Sequence, residues 1–187
     1  MPRRIFEPGV YHIYNRGFEK MMIFKNTSDF QRFYTILKKY LNLEKYKSIK
    51  ILSYCFLPNH FHFIVSTPTP GLLGTPGLEL DISSFFGDIQ NSYAKYFNLK
   101  YPRKGQLFEG RFKAKLIDND DYLFQCMLYV NYNAQKHQIV KDIADYPYTS
   151  YHQIIGRQAR DIISADDINE DFMKLDFTQI DLAELEF

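Results

Sequence analysis

Tyr54-Cys55-Phe56-Leu57-Pro58-Asn59-His60-Phe61-His62-Phe63-Ile64-Val65 is the stretch on which the fold turns. Residues 48 to 57, rich in Ile and aromatic side chains, and residues 60 to 65 read as two strands, with turn chemistry in Pro58-Asn59 between them. Strand side chains i and i+2 project from one face, so His60 and His62 can point at one ion, whereas a helix would splay them apart. Toward the N-terminus, Val10-Tyr11-His12-Ile13-Tyr14 is dense in β-branched and aromatic residues and closes on Asn15-Arg16-Gly17, a strand and a turn. Between these segments Phe30, Phe33, Tyr34, Leu37 and Leu41 recur at helical spacing, and Ser28 with Gln31 fits a capping box.

Toward the C-terminus, Thr67 to Gly77 is rich in Pro and Gly and reads as a loop. Ile82, Phe85, Phe86, Ile89, Tyr93, Tyr96 and Phe97 then mark one face of a second helix. Residues 111 to 118 alternate like a strand, and a third helix opens at Asn119-Asp120-Asp121 and runs to about Asn133. The order is βαββαβ followed by a helix. It predicts an α+β fold of the ferredoxin-like kind, an antiparallel sheet with helices on one face and an added C-terminal helix. After residue 155 the aromatic pattern fades, and Ser164 to Leu175 reads as a short acidic helix. The expected division is a body over 1–155 and an acidic extension over 156–187.

Composition sets the frame for function. A chain of 187 residues that is 45% hydrophobic and 17% aromatic buries a full core, which excludes global disorder. No apolar run approaches the roughly 18 residues of a membrane span, and Met1-Pro2-Arg3-Arg4-Ile5-Phe6 lacks a signal peptide's apolar stretch, so the expected location is cytoplasmic. Cys55 and Cys126 lie in apolar runs and read as buried thiols. The net charge of +1 conceals an asymmetry: residues 161 to 187 hold nine acids against Lys174 alone, which leaves residues 1 to 160 with 22 bases and 13 acids, a net of +9. Such a body is compatible with a polyanion.

Three groups of residues could carry chemistry. His60 and His62 suit a transition-metal ion, or Mg2+ if oxygen ligands complete the shell, although two polar residues on a half-exposed sheet face would leave the same pattern. Tyr129 and Asn133 are four apart on the third helix and share a face, with Tyr122 two turns earlier on the same stripe. A phenol is a poor nucleophile near neutral pH until a metal, a base or a positive field assists it, and most of the 15 tyrosines must be packing. Lys100, Arg103, Lys104, Arg111, Lys113 and Lys115 are interleaved with Tyr101, Phe108 and Phe112, a mixture that suits phosphates and unpaired bases, or else an edge strand guarded by lysines.

Taken together, the segment Tyr54 to Val65 resembles the His-hydrophobic-His motif of the single-tyrosine HUH transposases, specifically the REP-associated tyrosine transposase group. Tyr11-His12-Ile13-Tyr14-Asn15-Arg16-Gly17, Gly105-Gln106-Leu107-Phe108-Glu109-Gly110-Arg111-Phe112-Lys113 and Tyr129-Val130-Asn131-Tyr132-Asn133 are similar to further segments of that group, in order, over about residues 8 to 155. The resemblance implies a divalent metal, Mg2+ or Mn2+, held by His60, His62 and Asn133 beside the nucleophile Tyr129, with Tyr132 as the alternative nucleophile. It implies cleavage and rejoining of single-stranded DNA at hairpin ends through a 5′-phosphotyrosine, with Asn15, Arg16, Lys100, Arg103, Lys104, Arg111, Lys113 and Lys115 contacting DNA. Ala134 and Gln138 depart from the family, which has proline and commonly glycine there. Monomer and homodimer both stay open. The competing expectations are a hairpin-binding protein of the same fold that does not cut, and a metal-dependent hydrolase of small phosphoesters, which would not need Tyr129.

Overall fold

The computed structural model describes residues 6–67, 82–159 and 161–164. The proline- and glycine-rich stretch beyond Thr67 and the acidic helix expected beyond Ser164 lie outside these residues. The elements that position the site are β1 (Gly9–Arg16), α1 (Thr27–Leu41), β2 (Lys50–Leu57), β3 (His60–Thr67), α2 (Ile82–Lys100), β4 (Lys113–Ile117) and α3 (Asp120–Lys136). The strands form a sheet in the order β2-β3-β1-β4, antiparallel throughout. This is the expected βαββαβ arrangement. No described helix is long and apolar enough to cross a membrane.

The sheet separates two cores. On one side Ile13, Tyr54, Phe56, Phe61 and Phe63 pack with Phe33, Phe86 and Tyr93 of α1 and α2. On the other, Cys55, Leu57 and Ile64 pack under Cys126, Leu128 and Val130 of α3. The added helix thus covers the sheet face opposite α1 and α2. A bulge at Leu52 sets which β2 residues meet it, because Ile51 pairs with Val65 while Ser53 pairs with Ile64. One extra residue swings Ser53 under α3, and Cys55 and Leu57 follow in phase.

The start of α1 differs from the expected capping box. The helix begins at Thr27 after Asn26, and Ser28 lies inside the first turn, donating to Asn26 Oδ1 at 2.7 Å. Among the described residues no side chain caps the helix; Asp29 Oδ2 instead accepts the N–H of Lys25, just before the N-cap, at 2.9 Å. Its Oδ1 accepts from Lys100 Nζ at 2.6 Å and Tyr96 Oη at 3.0 Å, which ties α1 to the end of α2. Burial pushes this carboxyl upward, but the hydrogen bonds from Lys100, Lys25, Tyr101 and Tyr96 outweigh it and hold Asp29 below its ordinary 3.8. A depressed folded value means stability that is present above pH 3.8 and drains away as pH falls through the lower folded value. Urea midpoints measured from pH 6 to pH 2 should therefore converge for wild type and Asp29→Asn at the acid end, with wild type more stable near neutrality.

Gly17 follows β1 where the chain crosses the β2–β3 turn. Its N–H donates to Asn59 O at 2.7 Å, and a Cβ there would lie 2.1 Å from Met21 O. Only glycine fits this approach. At the other boundary, Asp161 pairs with Lys38 at 2.8 Å, Ile162 and Ile163 are buried, and the Ser164 N–H donates to Ile51 O at 2.9 Å. Packing thus continues past the boundary expected at residue 155.

Candidate functional site

The register of the sheet collects one row of side chains beneath α3. Tyr14 pairs with His62 and Arg16 with His60 across β1 and β3, while Tyr14 pairs with Lys113 and His12 with Lys115 across β1 and β4. Antiparallel partners share a face, so these residues join His60 and His62 on the α3 side. A groove of about 400 Å³ opens there, lined by His60, His62, Tyr14, Lys113 and His137, with Arg16 and Glu109 at its rim.

His60 is half-buried at the start of β3. Asn59 Nδ2 donates to Lys20 O at 3.3 Å, which turns Asn59 Oδ1 toward His60 Nδ1 at 2.5 Å. Amide oxygens face both ring nitrogens and only accept, so a neutral His60 can donate to one of them; the shorter contact, to Asn59, places its proton on Nδ1 and leaves a lone pair on Nε2. Nε2 and Asn133 Oδ1 then face each other at 3.4 Å as two acceptors rather than as a hydrogen bond. Asn133 is fully buried and its Nδ2 has no protein partner, and turning the amide over would orphan the oxygen instead. His62, 6% exposed, places Nδ1 2.9 Å from His12 Nε2. Burial pushes His12 down to about 4, with Lys115 adding to the effect, and pushes His60 down to about 4, with His137 adding. His62 lies well below its ordinary value for the same reason. The rings are neutral at pH 7, as metal ligands must be.

Tyr129 stands one helical turn before Asn133, half-buried. Its ring centroid is 5.6 Å from that of His62 at 89° and 6.0 Å from that of His12. Lys136 Nζ lies 5.2 Å from the Tyr129 ring centre. Tyr132 is instead buried in the core under α3, with its ring 6.4 Å from Tyr151. Among the described residues no three His, Cys, Asp or Glu side chains gather to hold a metal. Two neutral imidazoles and the Asn133 amide nonetheless fit a divalent cation that keeps water or phosphate oxygens for its remaining positions.

The basic residues divide. Lys113 and Lys115 reach the groove side exposed, with Nζ atoms 6.0 Å and 5.0 Å from the rings of Tyr14 and Tyr122. Arg16 is held by Glu109, with Nη2 3.0 Å from Oε1, and the bonded pair lowers the Glu109 carboxyl. Asn15 is buried and donates to Gln90 Oε1 at 2.6 Å and Gly110 O at 3.3 Å. Lys100 is engaged by Asp29, and Arg103 braces its own turn by donating to Asn98 Oδ1 and Gln106 O. Lys104 and Arg111 are exposed. Sequence reasoning missed His12, Tyr14, Glu109 and His137. The alternation His12-Tyr14-Arg16 within β1 and the four-residue step from Asn133 to His137 were the available signals.

The end of α3 shows that Gln138 stands at a position whose backbone suits glycine. Gln138 N donates to Gln135 O and Ile139 N to Ala134 O, both at 2.9 Å, a Schellman closure that leaves Gln138 at φ 57°. A left-handed residue there favours glycine. Gln138→Gly should raise stability by about 1 kcal/mol, read from the urea midpoint, without moving the groove residues.

No family model matches the chain. A Haemophilus influenzae protein described as a REP-associated tyrosine transposase is 26% identical over 100 residues, which span 53% of this chain and 57% of that protein. Among solved structures, a REP-associated tyrosine transposase bound to a REP hairpin superposes with a TM-score of 0.63, covering 90% of this chain and 93% of that one at 20% identity. The chain resembles the REP-associated tyrosine transposases. The structural match establishes the shared fold, and the sequence match carries the same family description.

Proposed function

We propose that this chain is a metal-dependent transposase that cleaves and rejoins single-stranded DNA at hairpin ends, with Tyr129 as nucleophile. The observation that carries the reading is that the buried Asn133 amide lies against His60 and the Tyr129 ring against His62, one helical turn apart on α3 beside the two histidines. A divalent ion, Mg2+ or Mn2+, held by His60, His62 and Asn133 would polarise the scissile phosphate and stabilise charge developing on it. Tyr129 Oη forms the new bond to phosphorus as the P–O3′ bond breaks. The phenol gives up its proton and the departing 3′ oxygen gains one. The 5′-phosphotyrosyl link conserves the phosphoester, so attack by a 3′-hydroxyl reverses the step without a nucleotide cofactor.

Lys113 and Lys115, beside the Tyr14 and Tyr122 rings, are suited to a single strand, with cations for phosphates and ring faces for unpaired bases. Arg111 and Lys104 are exposed. Arg16 would have to exchange Glu109 for a phosphate, Asn15 acts by shaping the end of β1, and Lys100 and Arg103 serve the fold before they serve DNA. Incubation with end-labelled hairpin DNA carrying single-stranded flanks and Mn2+ tests the reading: a covalent protein–DNA adduct is expected. Tight binding without an adduct would favour the non-cleaving alternative.

A further inference from the structure

The geometry points to His12 as a positioning residue that sets the tautomer of His62 and thereby bares its Nε2 to the groove. This rests on the proposed function, in which His62 is a ligand. The two rings lie nearly parallel, 5.1 Å apart at 20°, and share one proton between His12 Nε2 and His62 Nδ1 at 2.9 Å. Both are buried, 5% and 6% exposed, so water does not compete for the contact. His60 offers the template, because the Asn59 oxygen holds its proton on Nδ1 and leaves Nε2 bare. If His12 Nε2 accepts from His62 Nδ1–H, the second imidazole is prepared in the same way, and His12 keeps its own proton on Nδ1. The reverse placement would put the His62 proton on Nε2, where a ligand needs its lone pair. β1 supplies this partner because His12 lies one pair removed from the Tyr14 and His62 pairing, on the same face.

Two measurements on the full-length chain test this. Long-range proton–nitrogen correlation spectra of the metal-free protein should show His62 protonated on Nδ1, and His12→Phe should populate the Nε2–H form. Titration with Mn2+ should show affinity lowered about 10- to 100-fold in His12→Phe, the usual cost of losing a ligand's hydrogen-bond partner. His12→Gln, whose Oε1 can accept from the same nitrogen, should recover most of that affinity, which a merely structural role would not predict. A wild-type His62 protonated on Nε2, or a folded His12→Phe that binds Mn2+ as wild type does, overturns the inference. Failure of wild type to bind Mn2+ at all would remove the metal from the proposed function, and the tautomer alone would then decide the role of His12.

Discussion

Tyr129→Phe should bind hairpin DNA as wild type does and form no covalent adduct. The substitution removes one oxygen from a half-buried ring and keeps the contacts that the ring makes with His62 and His12. Stability should therefore change by no more than about 1 kcal/mol. The rate of strand cleavage should fall by about 10⁴-fold or more, the scale on which enzymes lose activity when a covalent nucleophile is deleted. Denaturing gels of labelled DNA after reaction with Mn2+ give the readout. Tyr132→Phe is the control, since that side chain is 5% exposed in the core near Tyr151. It should retain the adduct. Adduct formation by Tyr129→Phe but not by Tyr132→Phe would shift the nucleophile along the helix, and formation by both would end the single-tyrosine mechanism.

The second large effect concerns the imidazoles. His60→Ala should abolish Mn2+-dependent cleavage while sparing the fold, because His60 is half-exposed and its partners Asn59 and Asn133 stay in place. His62→Ala should abolish cleavage as well, but at a further cost to stability. The sequence pattern also fitted two polar residues on a half-exposed sheet face, whereas His62 is 6% exposed beneath α3 and bonded to His12. Removing it leaves a cavity and an unpartnered His12, a loss of about 1 to 3 kcal/mol. Ligand linkage separates the two roles. Mn2+ at about 100 times its dissociation constant should stabilise wild type by about 2.7 kcal/mol and neither variant. Unchanged cleavage in His60→Ala would remove the metal assignment.

Local periodicity explains what the sequence made legible. Alternation along β3 placed His60 and His62 on one face, and the four-residue step along α3 joined Tyr129 to Asn133. Long-range pairing explains the rest. His12 is 50 residues from His62, and their contact depends on the β1–β3 register, to which no local pattern points. The bulge at Leu52 is a one-residue irregularity inside a continuous apolar run, so the re-phasing that brings Ser53 under α3 left no mark. Charge was the least legible property. Lys100 belongs to a basic run in sequence, yet a carboxylate 71 residues away holds it, and Arg16 is claimed by Glu109 in the same way. The capping box expected at Ser28 is absent, and Asp29 in the same turn instead binds the chain entering the helix and a lysine of α2.

Asn131, between Tyr129 and Asn133, bears on whether two copies of the chain could trade their tyrosine helices. Its amide donates to Ser53 Oγ at 3.0 Å and accepts from Ser150 Oγ at 2.8 Å and Thr149 Oγ1 at 3.1 Å, all away from solvent. Lifting α3 off its own sheet would strand each of these groups, at about 1 to 3 kcal/mol apiece. A swap would avoid that penalty only if the partner's Ser53, Thr149 and Ser150 received the incoming amide in the same way. Asn131 thus works as a stitch through the two layers of the protein: it makes Tyr129 and the bed of histidines a single piece, and favours a tyrosine that, under the proposed function, serves the histidines of its own chain.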